Sequence, residues 1–372
     1  MDPVVRRDGG GVAPGAGRAV TSPDLPLVAD DADPAAVLAD LLAGGHGDGL
    51  PVVPPTAARV EAMLAGVAAP DEEFGLVPPL FGALSVRAVA WYAVLAGCRV
   101  DELPVVIAAC RAALADSFNL LGISTTTGAP AVAVLVHGPG ARRLGMTSGA
   151  GGLGTGNRAN ACIGRAVSMA LAGIGGATAG LTDMATIGQP AKYTCCTAES
   201  SRPLPSLAQR RGLGVDVDAV TVIGVGATVE VLPGEGYREP PSVLGPAAAA
   251  MAGMVLAMGD PARGALGEQF LLLPPEPAEL LAMHGWGYER IAEFLFEQGT
   301  ALLQGAAASL AFRAGVPAYA ASGLAVAGSP ADVHVVVTGG AGVKMLLLPT
   351  WMGGSRSVTA PVLPLEPVSR AG

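Results

Sequence analysis

A glycine cluster feeding into an apolar helical run constrains this chain more than any other stretch. Residues 147–199 read TSGAGGLGTGNRANACIGRAVSMALAGIGGATAGLTDMATIGQPAKYTCCTAE. Gly149, Gly151, Gly152, Gly154 and Gly156 lack a Cβ, so backbone N–H groups can converge there on a ligand or a neighbouring segment. Asn157-Arg158-Ala159-Asn160 follows as a polar turn, and residues 161–174 carry apolar helical periodicity. A helix start behind such a loop adds partial positive charge. The stretch closes on Lys192-Tyr193-Thr194-Cys195-Cys196 and Glu199. An anion or carbonyl site is the chemistry these residues point to.

The rest of the chain has to bury that unit. A length of 372 residues gives two lobes or one large domain. With 51% hydrophobic, 4% aromatic and 14% charged residues, small aliphatic side chains fill the interior. A net charge of −9 without a basic stripe argues against a nucleic-acid partner. The uncharged run 242–259 is Ala- and Gly-rich and interrupted by Pro246, so it reads as a buried helix and no membrane span is expected. No apolar stretch follows Arg6 and Arg7 to make a signal peptide. Five cysteines without a secretion signal fit reduced thiols in a cytoplasm. The apolar balance also predicts a homo-oligomer, with the Ala/Met-rich helix at 247–258 as its contact.

Along the chain, residues 1–33 read as a flexible tail, 34–200 as an N-terminal α/β lobe holding the glycine loop, and 201–372 as a C-terminal α/β lobe. Helices are predicted at 34–42 (capped by Asp33), after Thr56, at 85–96, 104–114, 247–258, 277–283 and 288–297. Three prolines among residues 51–55 make the segment from Asp48 to Thr56 a rigid connector over a sheet, or a ligand-facing loop. Strands are predicted at 120–124, 131–136, 219–225, 228–231, 269–273, 333–338 and 344–349. Asp101-Glu102 and Asp71-Glu72-Glu73 read as solvated loop charge. The alternation gives an α/β or α+β fold, a mixed sheet flanked by helices. A β-run followed by a glycine turn near 131–140 and again near 333–342 suggests two related lobes.

Several familiar chemistries drop out. Residues 149–154 match G-x-G-x-x-G, but the preceding β-run ends at Val136, and Asp183 lies too far along for a nucleotide ribose, so no NAD site is expected. The four histidines are scattered, and no metal-ligand spacing occurs. Cys98 and Cys110 sit in apolar helical runs as core residues. Cys162 falls in the first turn behind the glycine loop, where a thiolate is stabilised. Cys195 and Cys196 face opposite ways in a strand, so one at most enters a site. Lys192 and Arg158 are cations suited to lowering a thiol pKa, and Glu199 is an acid or base. Buried inert thiols are the competing reading.

The runs DGLPVVPPTAARVEAML, AVLAGCRVDELPVVIAA, FNLLGISTTTGAP, HGPGARRLGM, GNRANACIGRA and GQPAKYTCCTAE resemble, in this order, a prokaryotic family of larger proteins encoded beside small UGSC-motif (seleno)proteins. The resemblance implies thiol or selenol chemistry shared between two polypeptides. Cys196 and Glu199 match the family's K-Y-T-x-C-x-A-E motif. This chain departs from the pattern at His137-Gly138-Pro139, where relatives have N-G-P. It departs again at Cys162, usually Thr, at Ser200-Ser201-Arg202-Pro203, and in having no Cys-Gly-Ser-Cys, so its substrate differs.

The expected function is an enzyme for a small anionic or carbonyl-containing substrate, a thiol-dependent oxidoreductase or lyase component. The alternatives are a Cys-nucleophile hydrolase or acyltransferase and a non-catalytic scaffold subunit. Cys196, Glu199, Lys192 and Tyr193 are the catalytic candidates. Thr125, Thr126, Thr127, Gly151, Gly152, Asn157, Arg158, Asn160 and Cys162 are the substrate-binding candidates, in one shared site. The cofactor is left open, and a small partner protein accompanies the substrate as a candidate partner.

Overall fold

Strand interiors that are apolar at nearly every position demand cover on both faces. The computed structural model, which describes residues 25–258, 260–313 and 321–364, provides it with four layers. In chain order the elements are α1 (Pro34–Ala43), α2 (Ala57–Met63), β1 (Glu73–Val77), β2 (Gly82–Ser85), α3 (Val86–Ala96), α4 (Leu103–Ala113), α5 (Leu120–Thr125), β3 (Ala131–His137), α6 (Gly140–Arg143) and α7 (Arg158–Gly175). Then come β4 (Cys196–Ala198), α8 (Leu207–Arg210), β5 (Ala219–Val225), β6 (Val229–Val231), α9 (Pro240–Ala257), β7 (Gln269–Leu273), α10 (Pro275–Met283), α11 (Tyr288–Arg313), β8 (Val333–Val337), β9 (Met345–Pro349) and β10 (Val358–Pro361).

Two four-stranded sheets form, in the orders β10-β5-β3-β4 and β6-β9-β7-β8, and β1 pairs with β2 as a separate hairpin. Side chains alternate across each strand. Val134, Val136, Val220 and Val222 enter the core built with α3, α4 and α7. Leu271, Leu273, Val335 and Leu347 enter the core built with α9 and α11. The opposite faces, with Ala133, Leu135, Ile223, Phe270, Leu272 and Val336, pack on each other. The result is helix, sheet, sheet, helix: an α/β fold with mixed sheets flanked by helices.

The sheets repeat one pattern. β3 runs parallel to β4 and antiparallel to β5. β7 likewise runs parallel to β8 and antiparallel to β9. The fourth strand of each sheet comes from the other half: β6 pairs with β9, and β10 pairs with β5. The two crossings lie side by side, with Gly226 N donating to Pro349 O at 2.8 Å and Trp351 N to Gly224 O at 2.7 Å. The sequence echo therefore aligned the wrong strands, since β3 corresponds to β7 and β8 to β4. The boundary at residue 200 also fails, because β5 and β10 complete the sheet of β3 and the lobes are interleaved.

Other expectations shift for local reasons. Residues 120–124 are helical, not a strand: Asn119 adopts φ +53° and its side chain accepts from Gly122 N, which starts α5. The segment from Asp48 lies over helices, not a sheet, because Arg165 of α7 binds Asp48, Leu50 O and Pro51 O, and Val53 N donates to Leu95 O of α3. Of the expected tail, residues 1–24 lie outside the described residues. Residues 25–33 are docked, with Val28 N bonded to Pro55 O and Trp91 Nε1 to Pro26 O. Among the described residues, α9 is the one unbroken helix long and apolar enough to cross a membrane. One face of it, with Val243, Ala247, Met251 and Val255, is core.

Candidate functional site

The glycine loop is held in place by two asparagines. Asn157 caps α7 by accepting from Asn160 N at 2.9 Å, and donates to Gly145 O. Asn160 accepts from Thr147 N and donates to Thr147 O and Gly152 O. Thr338 donates to Ser148 O and Ala198 O, and Gly339 N to Ser148 O, so the loop is clamped between β4 and the end of β8. A Cβ on Gly152 would collide with Thr197 Oγ1, so Gly152 meets the chain itself. A cleft of about 360 Å³ remains, lined by Gly149, Gly151, Leu153, Thr197, Thr338 and Lys344 among others.

The candidate residues do not share one site. Thr125–127 precede β3, where Thr127 O accepts from Thr186 N, and Thr125 Oγ1 turns back onto Leu121 O. Lys192 is at this end too, paired with Asp183, and Tyr193 beside it is 47% exposed. The glycine loop and Glu199 sit at the other end of β3 and β4. Seven residues of strand separate the ends by roughly 20 Å.

The thiols also differ from expectation. Cys195 and Cys196 are buried. Burial pushes Cys195 up to about 12 and Cys196 higher still, opposite in sign to an activated thiolate. Gly164 of α7 closes over Cys196, and a Cβ there would strike Thr194 and Cys196. Cys162 is the fifth residue of α7, past its first turn, and half-buried. Burial raises its pKa, and Arg158 only partly opposes this. Arg158 is committed to a structural pair: it donates to both carboxylate oxygens of Glu102, and to Gly97 O. Glu102, expected in solvent, is fully buried. In iodoacetamide labelling with peptide mapping, Cys162 should therefore react first in the native chain, and Cys110, Cys195 and Cys196 only on unfolding. Native labelling of Cys196 ahead of Cys162 would contradict this.

Glu199 has partners that the sequence did not suggest. Its Oε2 lies 2.7 Å from His137 Nδ1 and accepts from Leu207 N at 2.9 Å. His137 Nε2 lies 2.7 Å from Thr221 Oγ1, itself 2.7 Å from Thr359 Oγ1. Arg211 donates to Thr359 Oγ1 and Ser357 Oγ. Ser357 and His334 bind Glu268, the His334 Nε2 distance being 2.9 Å. One hydrogen-bonded chain thus joins two buried His–Glu pairs across the space between the sheets. Only a polar residue on the inward face of an apolar strand, as in AVAVLVH, would have flagged it.

Glu199 also lines a cavity of about 610 Å³ beyond the C-terminal ends of parallel β3 and β4, with Arg142, Arg143, Ser148, Ser201 and Arg202. Open α/β sheets place ligands at this end of parallel strands. No cysteine lines this cavity or the glycine-loop cleft. Among the described residues, no group of three or more His, Cys, Asp or Glu is placed to hold a metal ion. No protein-family model and no curated protein matches the chain.

Proposed function

We propose that this chain is an enzyme that moves a proton on a small anionic or carbonyl-containing substrate in the cavity beside Glu199. The carrying observation is Glu199, a residue of the cavity lining whose side chain is only 1% exposed and whose Oε2 is fixed by His137 and Leu207 N. Among the described residues its Oε1 takes no hydrogen bond, and Arg210 lies 3.9 Å from it. A base held by a second group is the arrangement general acid–base catalysis uses. Removal of a proton beside a carbonyl, followed by loss of a β-leaving group, balances without an oxidant. That makes the reaction a lyase.

The absence of any thiol from the cavity lining favours a second reading, the two-component one. If the resemblance to the UGSC-associated family holds, the redox-active thiol or selenol belongs to a small partner protein, and this chain supplies the binding and proton transfer. We place the chain in the cytoplasm, where its free thiols suit a reducing environment. We also assign it to a homo-oligomer through the outer face of α9, where Ala249 and Gly253 are exposed.

Proton NMR in D₂O with a panel of small carboxylates and carbonyl compounds tests the function. At least one compound should exchange a carbon-bound proton or undergo elimination, and Glu199→Gln should slow it by roughly 10²–10⁴-fold with the fold intact. Undiminished turnover in Glu199→Gln, or no turnover across the panel with or without added thiol, would rule it out.

A further inference from the structure

We infer that the same cavity takes a small molecule carrying two acidic groups, one gripped by Arg142 and the other by Arg202. This rests on the cavity being the substrate site. The argument starts from which charges are already committed. Arg87 is spent on Asp71 and Glu61, Arg158 on Glu102, Arg165 on Asp48, and Lys192 on Asp183. Arg143, in the cavity wall, is spent on Asp218.

Arg142 and Arg202 have no ion pair and no side-chain hydrogen bond among the described residues, and both line this one cavity. They come from separate elements, Arg142 from α6 and Arg202 from the link between β4 and α8. The hydroxyls of Ser148 and Ser201, in the same lining, are also without a partner among those residues. Donors therefore outnumber acceptors. Glu199 is engaged by His137 and Leu207 N, which among the described residues leaves Asp216 as the one uncommitted lining carboxylate.

A cavity with two free guanidinium groups and two free hydroxyls fits an acceptor-rich ligand, because guanidinium forks bind carboxylate and phosphate bidentately. Two forks on two elements ask for two acidic groups. Asp216 then limits the accumulated negative charge and suits a ligand hydroxyl or amino group. A dicarboxylate and a phosphorylated carboxylic acid share this chemistry.

Isothermal titration calorimetry on the full chain separates these sources, with succinate and phosphoglycolate as dianions and acetate and inorganic phosphate as references. At least one dianion should bind about tenfold or more tighter than acetate, the size of one added charge-assisted contact. Arg142→Gln and Arg202→Gln should each remove that advantage while melting at the wild-type temperature. Preference for phosphoglycolate over succinate assigns a phosphate to one fork, and the reverse assigns two carboxylates. The inference is overturned if no dianion outbinds acetate, or if both glutamine variants bind as the wild type does. Glu199→Gln should bind the dianion within about threefold of wild type, since it acts after binding. Loss of dianion preference with proton exchange intact would sink this inference alone. Tight dianion binding with Glu199→Gln fully active would sink only the acid–base reading.

Discussion

Arg158→Ala is expected to destabilise the chain by roughly 3 kcal/mol, the lower part of the range for breaking a buried ion pair. Glu102 has no solvent exposure and relies on three donated hydrogen bonds, two from Arg158 on its two oxygens and one from Arg99 N at 2.8 Å, while Arg158 is itself held by Gly97 O. Removing the guanidinium strands a carboxylate in a medium that solvates it poorly. The Arg158 side chain is 39% exposed, so water recovers part of the loss, hence the lower end. Arg158→Lys should cost less, keeping the charge but losing the fork. Glu102→Gln with Arg158→Met should recover much of the stability, since neither partner is then left charged and alone. Urea denaturation followed by circular dichroism measures each. A loss under about 1 kcal/mol for Arg158→Ala would instead return Arg158 to the ligand-binding role its place behind the glycine loop suggested.

What could be read from sequence was local. Asp33 and Thr56 were legible as helix caps because a cap bonds to a backbone N–H three residues on, as both do here. The bounds of β5 and β7 followed from unbroken apolar runs ended by turns. What failed was long-range. Glu102 read as solvated because its partner lies 56 residues away, and Glu199 was grouped with Lys192 and Cys196 because its actual partner, His137, is 62 residues back. β4 escaped because it is three residues long and its one strand partner is β3, in parallel pairing. The exchange of β6 and β10 has no local signature, since either strand would suit the sheet of its own half. The candidate site suffered most from this. Residues near in sequence, such as Lys192 and Glu199, are carried to opposite ends of a strand, while Arg142 and Arg202 converge from separate segments.

The second large effect expected is loss of stability in mild acid, centred on Glu268 and His334. Burial alone would raise Glu268, but hydrogen bonds from His334 and Ser357 outweigh it and hold the carboxyl below its usual range. Burial lowers His334, outweighing the pull of Glu268, so the imidazole is kept neutral in the fold. Arg211, 3.7 Å from Glu268, supplies the facing positive charge, and Arg210 adds to it. Both titrating groups have folded values below their unfolded ones, so the folded chain binds fewer protons than the unfolded chain as pH falls. Their contribution is complete above the unfolded histidine value, about 6.5. It declines first below that point, as unfolded His334 takes up a proton, and again below about 4.3, the unfolded carboxyl value. The slope cannot exceed about 1.4 kcal/mol per pH unit for each proton. His334→Gln keeps a donor for Glu268 and removes the titration, so it should flatten the loss between about pH 6.5 and 5 while costing little at pH 7.5. Glu268→Ala should be costly at every neutral pH, because it orphans Ser357 N, Ser357 Oγ and His334 Nε2 together and leaves Arg211 without its carboxylate. Chemical denaturation of the three proteins at stepped pH decides the matter. A His334→Gln profile that falls as steeply as the wild type between those two pH values would place the acid-sensitive group elsewhere in the fold.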